Sequence, residues 1–133
     1  MMLGRILLFG VGLIFAIYGF VCLTQPEAAT RYSGLVLTGA KAEAEVAAMY
    51  GGLQIGLGVL FLAGTFRSQY LYVGLVAMVV TLGSLALGRG FGLVVYGLST
   101  YNLAAFAFET VASILGILSL RQLQFKARAV NET

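Results

Sequence analysis

The chain has 133 residues, of which 60% are hydrophobic and 10% charged, with a net charge of +3; soluble domains carry roughly 25% charged residues, so the solvent for this surface is lipid. A single cysteine excludes an internal disulfide, and the absence of histidine removes the commonest metal ligand and general base, which argues against a zinc or haem site. The eight basic residues stand singly between apolar stretches, a pattern of topology signals and not of a nucleic-acid surface.

Residues 3–23 form the first apolar stretch, with Arg5 as its one charge. About 20 apolar residues cross a ~30 Å hydrocarbon core, so this is a membrane span. A cleaved leader is the rival reading. The stretch exceeds a leader's apolar region of roughly 7–15 residues, and no clean small-x-small site follows it. Residues 24–42 are the polar connector. Pro26 and Glu27 open a short surface helix there, to about Tyr32, and Gly34 and Gly39 turn the chain.

The second span is expected over 43–66, a short turn at Arg67-Ser68-Gln69 follows, and the third span covers 70–87. Residues 88–100 are too apolar for a free loop and too interrupted by glycine for a helix, which predicts an interfacial segment. The fourth span is 101–120, and 121–133 is a tail carrying Arg121, Lys126 and Arg128. The expected fold is therefore all-α: one polytopic domain over 1–133, a bundle of four transmembrane helices. Helices are required because lipid offers backbone groups no partners. Arg5, Arg67, Arg121, Lys126 and Arg128 would share one side with Glu132. Arg31, Lys41 and Arg89 would lie opposite, near Glu27, Glu43 and Glu45. That bias places both termini in the cytoplasm.

Small residues suggest where helices touch. Ala44, Ala48, Gly52 and Gly56 recur every four residues, and Gly12 with Ala16, and Ala112 with Gly116, repeat the spacing. Such faces let backbones approach closely in membranes. They serve packing within one chain or between copies in a homo-oligomer or larger membrane complex.

Glu109 is the sharpest chemical feature. It lies about eight residues, roughly 12 Å, below Tyr101 in the fourth span. A carboxylate at such depth costs roughly 2.5 kcal/mol or more and is a functional-site candidate. Asn102, Ala105, Glu109, Ser113 and Gly116 share one helical face. Matching depth across spans places Gln54, Thr81 and Glu109 in one internal layer, with Tyr50 one turn from Gln54. These residues either pin helix register by hydrogen bonding or form a ligand-binding or proton-handling site. At the outer membrane face, Glu43 and Glu45 favour the positive end of the second helix, and Arg89 is expected to pair with one of them. The runs GGLQIGLG and GRGFG lack the strand and Lys-Ser/Thr of a phosphate loop. Cys22, without a base or partner, reads as an inert apolar residue.

Glu45, the run Tyr50-Gly51-Gly52-Leu53-Gln54, Arg89 and the buried Glu109 together give the chain a likeness. It resembles an uncharacterised family of small four-span bacterial inner-membrane proteins, loosely DoxX-like and catalogued as a domain of unknown function. The resemblance implies a four-helix bundle in a bacterial cytoplasmic membrane and supplies no activity. The chain is similar in length to small multidrug transporters, but their essential carboxylate lies in the first span, which here has none.

Three functions compete. The first is a binding or accessory protein that holds a lipid, quinone-like or other hydrophobic molecule, or a partner complex, around Glu109, Gln54 and Tyr50. The second is a small proton-coupled transporter in which Glu109 exchanges a proton for a cationic substrate. The third is an intramembrane enzyme, for which this chain offers few catalytic groups beyond Glu109. The expected partners are membrane lipids, and no cofactor, metal or nucleic acid is expected.

Overall fold

The computed structural model describes residues 2–131, excepting the side chains of Tyr32 and of residues 127–131. Two of the charges used for the topology argument, on the Arg128 side chain and on Glu132, lie outside the described residues. Four long helices dominate: α1 (Met2–Thr24), α2 (Ala40–Phe66), α3 (Ser68–Val95) and α4 (Thr100–Asn131). No strand occurs among the described residues. All four helices are long and apolar enough to cross a membrane, α4 over Thr100–Lys126. Many large apolar side chains point outward, among them Phe20, Val80 and Leu87, as expected where the surroundings are hydrocarbon.

The chain forms two compact units. The first contains Met1–Phe9 and Phe61–Thr133, that is, the start of α1, the end of α2, and all of α3 and α4. Its core is built from Leu8, Phe61, Leu71, Leu75, Met78 and Leu82. Arg67 is the only non-helical residue between α2 and α3, with φ −118° and ψ 115°. Arg5 secures the end of α2: its Nη1 donates to the Thr65 carbonyl at 2.9 Å and its Nη2 to Ser68 Oγ at 2.7 Å. A helix end leaves carbonyls without intrahelical donors, and a cation meets that need.

The second unit, Gly10–Leu60, contains the rest of α1, the connector and most of α2. A 3₁₀ turn over Pro26–Ala29 and one helical turn over Thr30–Ser33 fill the place expected for the surface helix. Gly34 and Gly39 adopt φ of 76° and 88°, a left-handed conformation that glycine takes without steric cost. Cys22, Ala29 and Val46 are buried together beneath Tyr18, Ala28 and Leu37, so Cys22 does serve as a core residue.

Between Ala47 and Gly52, α2 makes a π turn, and the Leu53 amide donates to the Ala48 carbonyl five residues back. One extra residue per turn rotates everything beyond it by about 100° relative to an α-helix. The four-residue ladder expected at Ala44, Ala48, Gly52 and Gly56 is therefore broken in the middle. All four residues are exposed, and a Cβ built on Gly56 meets nothing within 4 Å. The close contact in this unit is made instead by Gly51 and Gly58. A Cβ on Gly51 would lie 2.9 Å from Leu23 Cα, and one on Gly58 would lie 2.7 Å from Ala16 N and 2.9 Å from Gly12 O. Gly12 and Ala16 face Gly58.

The expected interfacial segment is also replaced. The third helix continues through Gly88, Gly90 and Gly92 to Val95, and only Tyr96–Ser99 link it to α4. Glycine weakens an isolated helix. Inside lipid, however, an unwound backbone has no alternative partners, so the helix persists.

Candidate functional site

The longer α3 changes the position of Arg89. It does not end a helix at the membrane face but lies six residues before the end of one. Its expected partners Glu43 and Glu45 are exposed residues near the start of α2. Its actual partner is Glu109: Nε donates to Oε1 at 2.8 Å and to Oε2 at 3.0 Å. The Arg89 side chain is 27% exposed and that of Glu109 is 6% exposed. The carboxylate is thus enclosed and the guanidinium closes over it. Withdrawing either charge alone would leave the other without a counterion in a poorly solvated place.

Asn102 completes the arrangement, its Oδ1 accepting from Arg89 Nη1 at 3.0 Å. Local structure fixes Asn102, because its backbone amide donates to Ser99 Oγ at 3.2 Å. That bond makes Ser99 the cap of α4 and sets the first turn. The Tyr101 ring lies 5.7 Å from the guanidinium carbon, a distance at which cation and ring face attract.

The predicted inward stripe of α4 is present. Glu109, Ala112, Ser113 and Gly116 are buried, and Asn102 and Ala105 half-buried. A Cβ on Gly116 would lie 2.6 Å from Val79 Cγ2, so Gly116 packs closely against α3, and Ala112 is buried. Ser113 Oγ donates to the Val79 carbonyl at 3.3 Å. The pairings Arg89–Glu109 and Val79–Ser113 fix the antiparallel register of α3 and α4. Gly83 against Ser113 and Gly90 against Phe106 set Glu109 opposite the backbone near residues 86–87, so Thr81 lies about five or six residues, roughly 8 Å, from its level. It does not join a layer with Glu109. The depth count failed because it ended α3 at Leu87 and not at Val95. Gln54 is half-buried and Tyr50 exposed, both in the second unit, with Tyr50 inside the π turn.

A feature that the sequence reading did not find lies on the α3/α4 pair. Gly83, Ala86, Gly90 and Phe91 from α3 and Phe106, Thr110 and Ser113 from α4 are among the residues bordering an open groove of about 500 Å³. The spacing Gly83, Ala86, Gly90 follows the three-and-four rhythm of one helical face, and it was the available signal. A Cβ on Gly90 would stand 3.2 Å from the Phe106 ring, so the absence of side chains there keeps the groove open.

Within that lining, the Thr110 hydroxyl is buried and has no hydrogen-bond partner. Other helical hydroxyls in this chain turn to their own backbone. Thr24 and Ser119 donate to the carbonyl four residues back, at 3.0 and 2.9 Å. An unsatisfied buried hydroxyl costs about 1–3 kcal/mol. The described residues contain no group of three or more acidic or cysteine side chains placed to hold a metal ion.

No curated protein and no solved structure matches the chain. The model of a family described as a domain of unknown function, DUF4345, matches residues 3–120, and the chain belongs to that family.

Proposed function

We propose that this protein is a small multi-pass membrane protein that binds a hydrophobic membrane molecule in the α3/α4 groove. The observation that carries the reading is the groove itself: about 500 Å³, with an almost wholly apolar lining and a floor of small residues. Ligand sites of this kind are typically 300–1,000 Å³, apolar, and furnished with a few polar groups. In this reading the Arg89–Glu109–Asn102 cluster holds α3 against α4 and so maintains the groove's shape. The location is a bacterial cytoplasmic membrane with both termini on the cytoplasmic side, as the arginine and lysine bias suggests. Membrane lipids are then both its solvent and its partners.

The test is recovery of bound ligand. Native chain and Gly90→Leu are purified in the same detergent, and co-purifying small molecules are identified by mass spectrometry. Leucine at position 90 projects from the groove floor, so the variant is expected to lack a hydrophobic species that the native chain retains. Equal recovery from both proteins would refute the reading.

Proton-coupled transport through Glu109 is the second reading, favoured by the depth of that carboxylate. It requires Glu109 to release Arg89 in every cycle, and it predicts that Glu109→Gln abolishes proton-driven uptake. Uptake surviving in Glu109→Gln vesicles would end it.

A further inference from the structure

From the groove's one unpaired polar atom we infer the class of its ligand: an uncharged apolar molecule carrying a single hydroxyl or carbonyl oxygen, read by Thr110. The inference rests on the groove being a binding site. Thr110 borders the groove, and its Oγ1 is buried without a hydrogen-bond partner. Buried polar groups are nearly always paired, so this oxygen lacks a partner that a turn of its side chain toward the groove would let a ligand supply. Threonine in a helix has two accessible χ1 rotamers because its hydroxyl can turn to its own backbone. Here the backbone bond is not made and Oγ1 is shielded, and rotation about the same torsion would exchange it with the methyl group and turn it to the groove that Thr110 borders. The second hydroxyl at the groove, on Ser113, is already committed to the Val79 carbonyl.

The charge pattern excludes an ionic head. Neither Arg89 nor Glu109 borders the groove, and the two neutralise one another. A charged ligand would therefore be desolvated without a counterion. Phe91 and Phe106 at one end of the groove suit a flat ring beside the chain of such a molecule.

The experiment compares 4-octylphenol with octylbenzene, which differ by one hydroxyl, by saturation-transfer NMR titration of the full chain in deuterated micelles. The native chain is expected to favour the phenol by about tenfold, the size of one good hydrogen bond. Thr110→Val, which keeps the side chain's shape, should bind both probes alike, and Thr110→Ser should restore the preference. A preference that survives in Thr110→Val overturns the assignment to Thr110. Equal binding of both probes by the native chain overturns the ligand class while leaving the groove a site. Failure of both probes to bind any version removes the groove reading and this inference together.

Discussion

Arg89 and Glu109, twenty residues apart in sequence, face each other across two antiparallel helices with both carboxylate oxygens on one guanidinium nitrogen. The pair is asymmetric, since the anion is enclosed and the cation partly reaches the surface. Glu109→Leu strands a cation and Arg89→Met strands an enclosed anion. Each should destabilise the fold by about 3–5 kcal/mol, and the double variant should recover most of that loss. A double-mutant cycle in denaturant titrations of the micellar protein measures the coupling. Additive losses would show that the contact contributes nothing.

The glycines divide by what faces them. Gly58 abuts the backbone of α1, with Ala16 N and Gly12 O both under 3 Å from an added Cβ. Backbone cannot rotate away, so Gly58→Ala should cost about 1–3 kcal/mol through overpacking. Gly116 meets the mobile Met78 Cε at 2.9 Å but also Val79 Cγ2 at 2.6 Å, which a helical valine's stiff χ1 holds in place, so Gly116→Ala should cost about as much. Gly56→Ala meets nothing and should stabilise the helix by up to about 1 kcal/mol. Thermal unfolding should rank both Gly58→Ala and Gly116→Ala below Gly56→Ala, and a Gly56→Ala variant less stable than either would contradict the packing described.

Thr110→Val should raise the stability of the ligand-free protein by about 1–3 kcal/mol, because it removes an unpaired buried hydroxyl at nearly constant volume. A fall in melting temperature would mean that Oγ1 has a partner in the native protein. Wild type and variant should converge when a hydroxyl-bearing ligand saturates the groove.

The proposed orientation is open to labelling. In a Cys22→Ala background, single cysteines at Ser68 and Lys126 should react with a membrane-impermeant maleimide only from the cytoplasmic side. A cysteine at Leu98 should react only from the other side. Reaction of Lys126→Cys from outside would reverse the assignment.

Hydropathy made four helices legible, because in lipid the backbone leaves a chain of this composition little choice. Gly34 and Gly39 announced the turns they make. The error at Gly88 and Gly90 came from reading glycine as it behaves in water, where a helix is free to unwind there. That single misplacement moved the end of α3 and separated Arg89 from its true partner. It also placed Thr81 at the wrong depth. Glu109 itself was evident, since a carboxylate in an apolar run has few innocent explanations. Its partner was not evident, because antiparallel register depends on where the preceding helix stops. The small-residue face of α2 was counted correctly but out of phase beyond the π turn, and no residue type marks such a turn reliably. Thr110 gave no sign at all. A threonine in an apolar helix ordinarily satisfies its own backbone, and only the geometry shows that this one does not.

The π turn at Ala47–Gly52 has a consequence for how α2 tolerates length changes. A helix with one surplus residue in its hydrogen-bond ladder can lose that residue and close into an ordinary α-helix. Deleting one residue within 47–52 would therefore preserve a continuous helix. It would also leave Glu43 and Glu45 at the same angle to Gly58, because the π turn already absorbs the extra residue that the deletion removes. The length of α2 can thus change by one codon at the π turn without re-aiming its acidic end relative to its packing end.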